Sequence, residues 1–354
     1  MDFSRIRDVA KTSLRANWLL FLLVALHAAA ALLLARIYGF KVDLSLNWQL
    51  GFFAASYTLI ASVFLLMRLA KRPANPVQDL LREARGWRLG ERLAVTAPAL
   101  LALSLFGSSF GALKSAIPSM HPYTWDATFA AWDVAVHGDD VWRIIQPLVG
   151  APPISSAINL VYHLWMLLFN IALAVACAME PRSVLRKQFL AAFVLCWGLI
   201  GNLAATLMAS VGPCFALPML GDPRYVDLMA YLHRVAERYP MPALKVQDML
   251  LYDTQHGTGG LGFGISAMPS MHVSIAMLVA LGVRRLWPRW QWAGWLFLAV
   301  IMIGSVHLGY HYAVDGYVAL VMTLAVWMLS GRLAQPTAAR RRLTVASGAG
   351  VLDR

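Results

Sequence analysis

Charge is scarce in this chain. Only 14% of the 354 residues are Asp, Glu, Lys or Arg while 59% are hydrophobic, which excludes an ordinary soluble domain and leaves length for several membrane spans. Acidic residues are scarcest, 18 against 30 Lys plus Arg, for a net charge of +12. Cysteine is nearly absent: three residues give no disulfide framework. Cys177 and Cys196 fall in apolar runs and read as small packing residues, and Cys214 as a spare thiol. No fixed-period repeat occurs, and low complexity is confined to the Ala- and Arg-containing C-terminal tail.

Long apolar runs are abundant. A bilayer-crossing helix needs about 20 mostly apolar residues, and eight stretches qualify, at roughly 17–36, 48–68, 93–114, 155–178, 189–211, 268–286, 292–310 and 312–330. The expected fold class is therefore an all-α integral membrane protein of about eight transmembrane helices. The positive charge does not indicate a nucleic-acid partner, because it gathers in alternate connections rather than on one soluble face. With the N-terminus inside, 22 of the 30 basic residues are cytoplasmic, and 10 of the 18 acidic residues lie in the outer loops. That asymmetry places both termini in the cytoplasm, in the inner membrane if the source is bacterial. The first span reads as a retained signal anchor rather than a cleaved leader.

The basic, Pro-containing loop at 67–92 marks a boundary. Residues 1–92 read as a tail, two accessory helices and that loop. Residues 93–335 form a six-helix catalytic core with two long outward loops, and 336–354 a basic cytoplasmic tail. In the first loop Trp125, Phe129, Trp132 and Val136 recur at helical spacing, the pattern of an interfacial amphipathic helix. In the second, Val226, Met229, Leu232 and Ala236 share a face, with Arg224, Asp227, Arg234, Glu237 and Arg238 largely elsewhere. Together the two helices could wall an opening toward lipid.

Ionisable groups at membrane depth are costly and mark function by default. His163, His272, His307, His311 and Asp315 qualify, and the charge-derived topology puts His272, His311 and Asp315 on the outward side. Asp315 follows His311 by four residues, one helical face apart. A carboxylate there can hold one ring nitrogen and leave the other as base or nucleophile, or the pair can simply staple two helices together. Pro269 suits a helix's first turn, so the amides of Ser270, Met271 and His272 are expected to be open to an anion such as phosphate. Glycines 257, 259, 260, 262 and 264 lead up to that turn. Lys114 and His121, in "KSAIPSMHP", leave the third span on the same side; Lys114 also reads as a snorkelling lysine.

These residues resemble the type 2 phosphatidic acid phosphatase superfamily, whose motifs are K-x6-RP, PSGH and SR-x5-H-x3-D. Lys114 to Pro122 fits the first with His121 for Arg; Pro269-Ser270-Met271-His272 fits the second with Met for Gly. Gly304 to Asp315 fits the third, with Gly304-Ser305 for Ser-Arg. The resemblance covers about residues 93–330. Without the two arginines, whose bidentate grip suits phosphate, the pattern is closer to the branch of inositol phosphorylceramide and sphingomyelin synthases, which move a phospho-headgroup between lipids.

The resemblance implies His311 as nucleophile forming a phosphohistidine, Asp315 orienting it, and His272 as general acid then base. It implies that Lys114, His121 and Ser270 hold phosphate oxygens, with His307 and Ser305 as supporting residues; His307 alternatively caps its helix, and His163 reads as structural. One of Arg143, Arg224, Arg234, Arg238 and Lys245 could replace a missing clamp. The scheme requires no metal or other cofactor, and the histidines lack a carboxylate or thiolate cluster of metal-site type. The implied partners are membrane lipids: a phospholipid or polyprenyl phosphate donor, and a lipid alcohol or water as acceptor. Water would make the protein a lipid phosphate phosphatase. A proton-coupled transporter is the reading from a different class, but its relay would scatter ionisable groups through mid-span.

Overall fold

The computed structural model describes residues 3–72, 75–86, 88–256 and 264–335. Among them every regular element is a helix. The chain opens with α1 (Phe3–Ala16), α2 (Trp18–Tyr38), α3 (Asn47–Ala70), α4 (Pro76–Gly86) and α5 (Leu89–Ser115). Short helices α6 (Asp126–His137) and α7 (Val141–Val149) lead to the long α8 (Pro152–Ala178). Next, α9 (Val184–Leu195) continues as a π-helix over Cys196–Ala204 and closes with Ala205–Leu207. Helices α10 (Val226–Ala236) and α11 (Pro242–His256) precede a final group of three: α12 (Met271–Leu286), α13 (Gln291–His307) and α14 (Ala313–Ala334).

Seven of these are long and apolar enough to cross a bilayer, so the protein is an all-α integral membrane protein. The expected sixth span is the exception. Its helix, α12, has 16 residues, about 24 Å at the α-helical rise, against a hydrocarbon core of about 30 Å. It starts late because the preceding chain is irregular. Ile265, Ala267 and Met268 are buried there, and the amides of Ala267 and Met268 donate to Ser210 O (2.9 Å) and Ser210 Oγ (3.1 Å). Non-helical backbone is tolerated at membrane depth when protein encloses it and satisfies its polar groups. Residues 257–263, which hold four of the five glycines noted above, and the tail 336–354 lie outside the described residues.

The two helices expected to be accessory share the main apolar core. Leu20, Val24 and Phe53 pack in one cluster with Leu103, Phe106, Leu173, Phe193 and Ile200. Polar ties reinforce the joint. His27 of α2 bridges Ser109 Oγ and Asn202 Oδ1, each at 2.9 Å, and Tyr57 OH donates to Ala174 O at 3.0 Å. Arg186, fully buried, donates through Nη1 to Asn17 Oδ1 at 2.8 Å. In hydrocarbon no water competes for such groups, so each tie stands in for an otherwise unsatisfied dipole or charge.

The outward helices form where expected but bury other faces. In α6 the inward residues are Asp126, Phe129, Ala130 and Asp133, while Trp132 and Val136 are exposed. The aromatic stripe is split because two carboxylates have backbone amides to hold. In α10, Leu228, Leu232 and Val235 are buried and Val226 is exposed. Helix α11 beside it has no counterpart in the sequence reading.

Candidate active site

Three helix ends meet where α12 begins, α13 ends and α14 begins. The turn between α13 and α14 is fixed by one carbonyl: Ser305 O accepts the amides of Tyr310 (3.1 Å) and His311 (3.0 Å). Gly304 lets α13 approach α8, since a Cβ there would sit 3.0 Å from the Tyr162 ring. Asp315, in the first turn of α14, is fully buried; its Oδ2 accepts from His311 Nδ1 at 3.2 Å and from the Tyr312 amide at 3.1 Å. With Nδ1 donating to the carboxylate, the lone pair of His311 lies on Nε2.

That nitrogen stands 3.4 Å from His272 Nδ1. The His272 ring is itself held among aromatics, stacked on Tyr162 with centroids 4.5 Å apart and tilted against Trp165 at the same distance. Trp165 Nε1 also donates to His272 O at 3.0 Å. An imidazole confined in this way has little rotational freedom, and it presents one nitrogen to His311. Three of the expected residues, His272, His311 and Asp315, thus form one contiguous chain.

Lys114 lies in the last turn of α5. Ser270 is the N-cap of α12: its hydroxyl accepts the Val273 amide at 3.4 Å, and its own amide donates to Asp315 O at 3.2 Å. Only part of the expected set of open amides is therefore free of a protein partner. His121 lines a cavity beside α2, with Nδ1 donating to Pro122 O at 2.9 Å. His307 is fully buried and its Nε2 lies 2.8 Å from Ser155 Oγ, which also meets Tyr231 OH at 2.6 Å, so it ties α13 to α8 and α10. His163 donates from Nδ1 to Asn159 O within its own helix at 2.8 Å. Arg224 and Arg143 pair with Asp140 (2.8 Å) and Asp227 (3.3 Å), respectively. Among the described residues no three His, Cys, Asp or Glu side chains converge as a metal-binding group.

Two buried carboxylates beside these residues escaped the sequence reading. Asp133 accepts the amides of Ala313 (2.8 Å) and Val314 (2.9 Å), the first two of α14. Asp126 accepts the amides of Val211 (3.0 Å) and Gly212 (2.9 Å) and the Tyr312 hydroxyl (2.9 Å). Both carboxyls are pushed above their ordinary pKa by burial, against the pull of these hydrogen bonds. The signal was present: 126, 129, 130 and 133 have the i, i+3, i+4, i+7 spacing of one helical face.

The sequence model of the PAP2 superfamily matches residues 127–329, more than half of the chain. The chain belongs to the PAP2 superfamily. Its members are phosphatases and phosphotransferases. The matched region contains His272, His311, Asp315 and Asp133, and it excludes Lys114 and His121. Neither the curated proteins nor the solved structures gave a match.

Proposed function

We propose that this PAP2 protein is a membrane-embedded lipid phosphotransferase working through a phosphohistidine, with a lipid hydroxyl as acceptor. The observation that carries it is the chain Asp315–His311–His272, with contacts of 3.2 and 3.4 Å, at one end of the bundle. His311 Nε2 attacks phosphorus and the bond to the leaving oxygen breaks. His272 gives that oxygen its proton. In the second half, His272 takes the proton of the incoming hydroxyl, whose oxygen attacks phosphorus as the P–N bond breaks. Asp315 stays ionised, holds the His311 tautomer and compensates the imidazolium-like charge of the intermediate. Lys114, Ser270 and His121 are the proposed phosphate ligands. At 3.4 Å the two rings leave no space for a phosphoryl group, so they part when substrate binds.

The absence of both motif arginines favours transfer between lipids, as in the inositol phosphorylceramide and sphingomyelin synthase branch, over hydrolysis. Water in place of the alcohol gives the second reading, a lipid phosphate phosphatase with the same residues. Both place the site on the extracytoplasmic side, on the strength of the basic inner loops. The deciding experiment supplies phosphate-labelled phospholipid to purified protein, quenches early for labelled histidine, then offers lipid alcohol or water. Labelled His311 and a transferred phosphate are expected; turnover with no protein-bound label at any time would overturn the covalent route.

A further inference from the structure

A cavity of about 560 Å³ opens beside the site, between α2, the end of α5 and the π-helical part of α9. Its volume is that of a small-molecule site, but its walls are those of a membrane slot. Leu23 to Tyr38 of α2 form one side, a rise of about 22 Å along the helix. That reaches past the middle of a hydrocarbon core about 30 Å thick. Leu26, Leu203 and Leu207 on its lips are 59%, 55% and 59% exposed, so the slot is open sideways to the bilayer. Its depth comes from small residues, Ala30 and Gly198. A Cβ on Gly198 would sit 3.2 Å from His27 Cδ2 and press on the His27–Asn202 tie.

The two ends of the slot differ chemically. The rim carries His121 and Leu113, the residue before Lys114. Below, the walls are mainly aliphatic, with the mutually paired His27 and Asn202 and the hydroxyl of Thr206 among them. A polar rim beside Lys114, above a mainly apolar slot open to lipid, suits an alkyl chain carrying a phosphate at its end. We infer that this slot holds an alkyl chain of the phospholipid substrate, so that α2 is part of the substrate site; the inference rests on the lipid reading above.

The test compares Ala30→Phe and Thr206→Phe, which fill the slot and leave His272 and His311, outside its lining, unchanged, with wild type in detergent. Substrates are a long-chain phosphatidic acid and its dibutyryl analogue. The inference expects KM for the long-chain lipid to rise at least tenfold, with turnover of the short-chain analogue within twofold, which also certifies folding. A photoactivatable diacyl phosphatidic acid should label α2 in wild type and not in Ala30→Phe. Unchanged long-chain KM, or labelling confined to other helices, overturns the slot. Labelling of α2 without turnover of any phospholipid would instead sink the enzymatic reading and leave the slot.

Discussion

Asp133 accepts the backbone N–H of Ala313 at 2.8 Å, so a short helix outside the bundle holds the N-terminus of the span that carries Asp315. Loss of a capping carboxylate costs about 1–2 kcal/mol. Asp133→Ala is therefore expected to lower the thermal unfolding midpoint and to reduce turnover by roughly 10-fold, as outer-shell losses do. Asp133→Asn, which keeps an acceptor, should recover part of both. Equal activity in all three proteins, measured at saturating lipid, would remove Asp133 from any positioning role.

The same carboxyl has a signed pH dependence. Burial raises its pKa in the folded protein, so folded chains retain a proton that unfolded chains release above about pH 4. Its contribution to stability is complete below that pH and fades as pH rises through the folded value. Unfolding midpoints measured from pH 4 to 7 should fall more steeply with pH for wild type than for Asp133→Asn. Parallel curves would contradict the shift.

His311→Ala is expected to abolish turnover and phosphate labelling of the protein. His272→Ala, which removes only proton transfer, should lower kcat by roughly 10²–10⁴-fold. A leaving group that needs no proton, such as a nitrophenolate ester, should restore much of the first half-reaction in that variant. No such rescue, read in a quench-flow burst, would assign His272 elsewhere.

His307→Ala should behave differently. It removes a buried hydrogen bond to Ser155, worth about 1 kcal/mol plus the cost of a stranded hydroxyl. The expected result is a lower unfolding midpoint with kcat and KM within about threefold of wild type, an estimate set by the distance from any reacting atom. A hundredfold fall in kcat at normal stability would place His307 in the chemistry.

Orientation can be read without background, because the three native cysteines are buried. Ser119 is exposed between α5 and α6. In Ser119→Cys, a membrane-impermeant thiol reagent added to intact cells should label the protein. Labelling only in inverted vesicles would put the site on the cytoplasmic face.

Apolar length made the membrane class legible, and the four-residue spacing made the His311–Asp315 contact legible, because both are local signals. What stayed hidden was long-range. Asp126 and Asp133 looked like ordinary polar residues on an interfacial helix, since their partners are backbone amides some 85 and 180 residues away in the chain. Hydropathy carries no trace of such an acceptor's target. The late start of α12 was hidden for a related reason: residues 264–270 carry no charge to mark a boundary, and the enclosing protein lets them stay unwound. His121 fitted a motif by spacing, but spacing could not show that α5 ends at Ser115 and that the imidazole lines the slot.

Arg186 and Asn202 each find their partner, Asn17 and His27, in the first 92 residues. A version of the chain cut at the basic loop would take from each its shortest hydrogen bond and leave only the longer ones to Cys177 O and Phe110 O, a costly loss at membrane depth. The first two long helices are therefore packed and hydrogen-bonded into the bundle rather than laid against it, so removing them would open its core to lipid.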